Sequence, residues 1–380
     1  MPSTCDKQVG TATNGDQASF VMPKDIICSF DSLYKAALKC KNNVMWKDST
    51  AGFMSNYVTN IAKLRNGLLC GSYRLDGYTV FFVYEPKMRQ IVSTRIKDRI
   101  FQRSMCDNYL YDEMTKHFIH DNCACQVDKG TDTAIGRLKC HLQRFYRKNN
   151  TNGWVLKCDI KDFFGQTSHK VALDAVKKRV GDEWVTLQVE TIINSFIQGA
   201  DKSKGMGLGS EVTQLVQLAV LDDLDHFIKE KLHIKYYVRY MDDFILIHDD
   251  KEYLKYCKDQ ISEHIQNIGL RFSDKKTKIF PVTQRIRFLG FSFELTSSGK
   301  VVQRILPENI NNERRKLRLL VGRAAKGFMT KQDVDACYEG WKAHAKRGNN
   351  HNEILKMDAY YKSLWEVYYN AKVQKHQRTA

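Results

Sequence analysis

Tyr240-Met241-Asp242-Asp243 lies between two apolar runs, Tyr236-Tyr237-Val238 before it and Phe244-Ile245-Leu246-Ile247 after it. The pattern predicts a hairpin with adjacent carboxylates at its tip. A turn alone favours Asp, but strands do not, and like charges at one tip repel. A divalent cation removes that repulsion, and Mg2+ takes carboxylate oxygens while keeping positions for substrate phosphates. A second carboxylate ends the apolar run Val155-Leu156-Lys157-Cys158-Asp159-Ile160. Strand alternation puts Leu156, Cys158 and Ile160 on one face and Asp159 on the other, with its carboxylate free. Two strands that each deliver a carboxylate suit two-metal phosphoryl or nucleotidyl transfer, in which one ion activates a 3′-hydroxyl and the other steadies the leaving pyrophosphate. No Ser-His-Asp or Cys-His arrangement stands out as a rival.

The elements that must position these groups are legible from periodicity. A helix is predicted over Asp31–Asn43, with Asp31 or Ser32 as its cap, and a second over Ser55–Asn66. Residues 71–93 change to a strand pattern, read as a β-hairpin or two strands. The stretch 96–147 is mostly helical, broken by the loop-like HDNCACQVDKGTD. The Asp159 strand leads to helices from about Ser168 and over Glu183–Ile197. The turn GMGLGS then opens a helix with a stripe of Val212, Leu215, Val216, Ala219 and Val220. After the Asp242 hairpin come a helix over 251–268, a strand from Leu270, a strand in RIRFLGFSFEL and a turn at Ser297-Ser298-Gly299. From Leu306 onward the chain reads helical and basic.

The 380 residues carry 60 Lys and Arg against 43 Asp and Glu, a net charge of +17. Residues 301–380 hold +8 of it. An excess of this size points to a polyanionic partner, foremost nucleic acid. An apolar content of 43% with five prolines excludes a disordered or low-complexity chain. Eleven cysteines without a C-x-x-C pair support neither a disulfide framework nor a zinc knuckle. With no apolar run of about 20 residues, a cytoplasmic protein that contacts no membrane is the economical reading.

YVRYMDDFILI resembles the catalytic hairpin of reverse transcriptases, and LKCDIKDFF resembles their first catalytic strand. The resemblance runs in the same linear order over about residues 60–350. It implies an α+β, right-hand polymerase fold: a flexible N-terminus over 1–24, fingers over 25–150, a catalytic palm over 151–295 and a helical, basic thumb over 296–380. It implies Asp159, Asp242 and Asp243 as catalytic residues. Asp159, Ile160, Asp242 and Asp243 would hold two Mg2+ ions, with Mn2+ admissible. Phe164 falls where the family keeps a bulky side chain against the ribose 2′ position; one of Phe163 and Phe164 belongs to the core.

Lys87-Met88-Arg89 resembles the fingers segment that grips the incoming triphosphate, and Lys87 and Arg89 share one face of a strand. Asp98-Arg99 fits the family's Asp-Arg pair and reads as a structural ion pair. CACQVDKGTD resembles a second fingers element, with Lys129 and Gly130 in place and Gln126 where an Arg often stands. GMGLGSEVTQ resembles the Gly-rich element before a palm helix, and makes Leu208, Gly209 and Gln214 nucleotide contacts. Many members have Gln before that Gly and end in Ser-Pro; Leu208, Thr213 and Gln214 instead resemble the subset from diversity-generating retroelements. There the change accompanies error-prone copying opposite adenine, and physically Leu208 cannot hydrogen-bond near the nascent pair. Lys276 resembles the Lys near the triphosphate. Phe288-Leu289-Gly290 resembles the primer grip, and GWKAHAKRGN a segment of bacterial reverse transcriptase thumbs.

The implied function is RNA-directed DNA polymerisation. The partners are an RNA template, an RNA–DNA hybrid and deoxynucleoside triphosphates. The nearest branch adds a structured noncoding RNA and a basic accessory protein. Two alternatives use the same core: an antiphage-defence or retron-like reverse transcriptase working on a dedicated noncoding RNA, and a non-catalytic RNA-binding scaffold. The three intact aspartates count against the scaffold.

Overall fold

The computed structural model describes residues 22–84, 88–196 and 201–379. They form two compact units. The first takes the described residues up to Glu113 with Val180–Ile192 and Gly209–Val212; the second takes Met114–Arg179, the described part of Ile193–Leu208, and Thr213 onward. The division differs from the three lobes expected at 25–150, 151–295 and 296–380. The helix Thr131–Asn149 falls within the expected fingers range, yet its Ala134, Ile135, Leu138, Leu142 and Phe145 share a core with Val155, Tyr236, Val238, Ile245 and Ile247 of the central sheet. An amphipathic stripe of that length is buried with the partner that covers it, and chain order does not decide which that is.

The first unit is mainly helical. Its helix Phe30–Lys41 is capped by Ser29, whose hydroxyl accepts from the Ser32 N–H, so the expected caps Asp31 and Ser32 lie inside the first turn. The helix expected over Ser55–Asn66 is Tyr57–Leu69, and a further helix, Asp48–Ser55, precedes it with Asn56 between the two. The hairpin is present: β1 (Tyr78–Val83) pairs antiparallel with β2 (Arg89–Thr94), from Tyr78↔Thr94 to Val83↔Arg89. The expected Asp98–Arg99 ion pair is not made. Asp98 accepts from the Tyr73 hydroxyl at 2.6 Å and the Asp76 N–H at 2.8 Å, while Arg99 donates to Ser93 Oγ and the Thr94 carbonyl, both at 3.0 Å. Consecutive helix residues point in different directions, so each finds its own partners.

The second unit is built on a four-stranded antiparallel sheet. Its strands are β3 (Trp154–Asp159), β4 (Tyr236–Tyr240), β5 (Asp243–His248) and β6 (Lys278–Pro281), in the order β4-β5-β3-β6. The helix Thr131–Asn149 packs on β4, and the helix Lys251–Asn267 contacts β3, β5 and β6. Burial of both faces explains why β3, β4 and β5 read as near-continuous apolar runs, whereas β6 has no fully buried residue. A second antiparallel sheet, β7 (Ile286–Phe288), β8 (Phe291–Leu295) and β9 (Val301–Ile305), shares the same core through Ile286, Phe288, Phe291, Phe293 and Ile305. The basic tail folds into helices Pro307–Ala325, Lys331–Lys346 and His351–Thr379. The mixture of helix and antiparallel sheet is the α+β class expected.

The strand expected from Leu270 is absent. Phe272 makes one bridge to Ile160, and Ser273–Thr277 forms turns before β6 begins at Lys278. The bridge is made by the Lys161 N–H donating to the Arg271 carbonyl at 2.9 Å and the Ser273 N–H donating to the Asp159 carbonyl at 2.8 Å, and the pairing extends no further before the turns.

Candidate active site

The register of the sheet brings the predicted carboxylates together. Asp159, the last residue of β3, lies directly opposite Asp243, the first residue of β5. Asp242 occupies the two-residue turn with Met241, and its carbonyl accepts from the Ile160 N–H at 3.3 Å. Met241 has a φ of 55°, a left-handed conformation that costs a bulky residue about 1–3 kcal/mol. What holds it is Arg239. This fully buried guanidinium donates from Nη1 to the Met241 carbonyl at 3.1 Å and from Nη2 to the Leu218 carbonyl at 3.3 Å. Its Nε donates to Asp225 Oδ1 at 2.7 Å, and the Tyr237 hydroxyl donates to the same oxygen at 2.6 Å. Asp225, too, is fully buried.

Two ammoniums neutralise the carboxylate pair. Lys276 Nζ lies 2.7 Å from Asp159 Oδ2, so the carboxylate expected to be free is ion-paired. Lys157 Nζ lies 3.0 Å from Asp243 Oδ2. Burial pushes the Asp243 carboxyl up to about 6; Lys157 opposes that rise, and the charges of Asp159 and Asp242 add to it. The other oxygen, Asp243 Oδ1, is buried without a hydrogen-bond partner. An orphaned carboxylate oxygen facing a second carboxylate is a donor set that a hard divalent cation satisfies. Among the described residues no group of three His, Cys, Asp or Glu side chains is gathered closely enough to hold an ion.

Phe163 is core, 2% exposed, and Phe164 is half-buried, the two rings meeting edge to face. The Phe164 carbonyl accepts from the Met206 N–H at 2.7 Å, which brings the Gly-rich loop beside it. Gly207 is needed there, because a Cβ would lie 2.0 Å from the Phe196 ring. Leu208 and Gln214 are half-buried. Gly209, in the first unit, has a φ of +124°, and a Cβ on it would lie 2.9 Å from the Val92 carbonyl. Arg89 is exposed at the start of β2, and Lys87 lies outside the described residues. Lys129 and Gln126 both donate to the Asn122 carbonyl, at 3.0 and 2.9 Å, and so brace their own loop. Phe288 is buried, and Leu289 and Gly290 form the β7–β8 turn, with φ of 48° and 85°. Positive φ at both positions is the turn whose twist matches that of the flanking strands.

Sequence reasoning missed Lys157, Arg239 and Asp225. Lys157 had a signal, since it lies two residues before Asp159 and so on the same face. Arg239 read only as part of the hairpin; an Arg inside an apolar strand requires a buried partner. Asp225 comes from the short helix Asp222–His226 and had no local signal.

The sequence matches the reverse transcriptase (RNA-dependent DNA polymerase) family over residues 85–293, more than half of the chain. The chain belongs to the reverse transcriptase family. This reverse transcriptase is 23% identical over 274 residues to Protein YkfC of Escherichia coli K12, covering 60% of this chain and 69% of that protein. Among solved structures it is similar to apo telomerase from Candida tropicalis, truncated from its C-terminal domain, at 13% identity and a TM-score of 0.46, covering 59% of this chain and 54% of that one. Telomerase from Candida albicans with a fragment of telomeric RNA is similar at 10% identity and a TM-score of 0.46, covering 73% and 55%. The chain spans about half the length of these solved structures. The fold is the right-hand polymerase fold expected, and the family's enzymes are RNA-directed DNA polymerases, nucleotidyltransferases that use divalent metal ions.

Proposed function

We propose that this chain copies an RNA template into DNA, with Asp159, Asp242 and Asp243 as its catalytic carboxylates. The observation that carries the reading is the opposed pair Asp159↔Asp243 with Asp243 Oδ1 buried and unpartnered. Two Mg2+ ions, held by Asp159, Asp242, Asp243 and Ile160, would activate the 3′-hydroxyl and neutralise the leaving pyrophosphate. The rest falls to the protein. Arg239 fixes the turn, and Lys276 brings positive charge to the triphosphate side. The Phe164 ring excludes a 2′-hydroxyl. Lys87, Arg89, Gly209 and Gln214 contact the nucleotide, and Phe288-Leu289-Gly290 supports the primer. The basic helices from Pro307 track the phosphates of an RNA–DNA hybrid by shape and charge.

The finer reading is a polymerase of the diversity-generating type. Leu208 supports it, because an aliphatic side chain before Gly209 offers no hydrogen bond to discriminate the nascent pair. A structured noncoding RNA and a basic accessory protein follow as partners. The test is primer extension on RNA with Mg2+ or Mn2+. Wild type extends, whereas Asp159→Ala and Asp242→Ala abolish synthesis and keep their fold and RNA binding. Near-normal incorporation by either variant overturns the assignment. Sequencing the product tests the finer reading: misincorporation concentrated opposite adenine supports it, and uniform fidelity removes it.

A further inference from the structure

The side chain of Lys157 is only 16% exposed, and its ammonium has two acceptors. One is Asp243 Oδ2, at 3.0 Å; the other is the Arg287 carbonyl on β7. The same ammonium lies 5.9 Å from the centre of the Phe288 ring. A single charge therefore ties a catalytic carboxylate to the hairpin whose turn is Leu289-Gly290. Lys278, opposite Lys157 in the β3–β6 register and on the same face, is exposed and makes no such contact.

We propose that Lys157 is a positioning residue: it acts as the counter-ion of Asp243 until a divalent cation takes that role, and so couples cation binding to the mobility of the β7–β8 hairpin. A largely covered ammonium is most stable while its acceptors face it. A cation on Asp243 competes for the charge that holds Lys157, and its arrival loosens the fastening to Arg287. Linkage requires the converse as well: the Lys157 tie weakens cation binding by the factor that the cation weakens the tie. The proposal rests on the polymerase reading only for what the hairpin contacts.

The test uses the full chain at pH 8 with Mn2+ as the probe, read by electron paramagnetic resonance, and amide hydrogen exchange of Ile286–Leu295. In wild type, saturating Mn2+ speeds exchange of the hairpin amides. Lys157→Met binds Mn2+ about tenfold more tightly, the weight one contacting charge has on a carboxylate. Its hairpin exchanges fast with or without the ion. Lys278→Met, which removes a charge from the same face, changes Mn2+ affinity less than threefold. A role in folding alone would weaken cation binding, the opposite sign. The proposal is overturned if wild-type hairpin exchange ignores Mn2+, or if a folded Lys157→Met binds it no more tightly than Lys278→Met. The wild-type arm decides even where Lys157→Met does not fold. Neither readout requires synthesis: a chain that extends no primer yet shows the linkage sinks the polymerase reading alone, and the reverse result sinks this proposal alone.

Discussion

Replacing Arg239 by Met separates what the buried ion pair does for stability from what it does for the site. Arg239 and Asp225 are both fully buried, so the single substitution leaves an uncompensated carboxylate and costs about 3–5 kcal/mol. Adding Asp225→Leu and Tyr237→Phe removes the stranded charge and the hydroxyl that depended on it, and such replacement of a whole buried network by apolar groups returns most of the loss. Activity does not return with it. Met241 at φ 55° loses the donor 3.1 Å from its carbonyl, and nothing else described holds that carbonyl. A turn that relaxes moves Asp242 and Asp243, and a misplacement of about 1 Å at reacting groups costs about 100-fold in rate. The assay pairs urea denaturation with single-turnover primer extension at a temperature where every variant is folded. The expected result is a single variant low in both, and a triple variant restored in stability while at least tenfold slow. A triple variant that is both stable and as fast as wild type refutes the reasoning, and shows Arg239 to be structural only.

Two further outcomes follow from the geometry. Phe164→Ala admits ribonucleotides with a small loss of stability, whereas Phe163→Ala, at a position 2% exposed, costs about 3–5 kcal/mol and lowers incorporation of both sugar types; unchanged sugar selectivity in a folded Phe164→Ala chain removes the gate, and ribo- and deoxynucleotide incorporation with melting curves distinguishes the two. RNA affinity falls steeply with salt, because +8 of the net +17 lies in residues 301–380 and each phosphate contact adds about −0.7 to −0.9 to the log–log slope; an affinity flat between roughly 50 and 200 mM salt excludes phosphate tracking.

The parts of this fold that were legible are those with short-range causes. The β4–β5 hairpin, β3 and the helix Lys251–Asn267 follow from period and turn chemistry, and the structure has all of them. Expectation and structure differ where local backbone geometry or a partner distant in sequence decides the outcome. Leu270 and its neighbours have strand composition, yet their pairing with the end of β3 stops at the single bridge Ile160↔Phe272, because the chain turns at Ser273–Thr277. Ser29 displaced Asp31 and Ser32 as a cap because it alone has extended backbone at the helix entry. The helix Thr131–Asn149 joined the sheet because its apolar stripe fits that face, which no boundary signal near residue 150 reveals.

The sequence by itself determined the chemistry available: acids at the ends of two apolar strands, an aromatic pair after the first, a Gly-rich turn and a strongly basic tail. Residue type and spacing suffice for that, since alternation assigns faces and charge assigns partners. Only the tertiary structure decided how the acids are held. Register set Asp159 opposite Asp243, chain segments remote from the hairpin supplied Lys157, Lys276 and Asp225, and Arg239 was turned inward to grip the Met241 carbonyl. The reason is the cost of burying charge. An ammonium, guanidinium or carboxylate inside a protein takes whatever opposite charge the fold brings within reach, and that choice depends on proximity in space, which sequence separation does not encode.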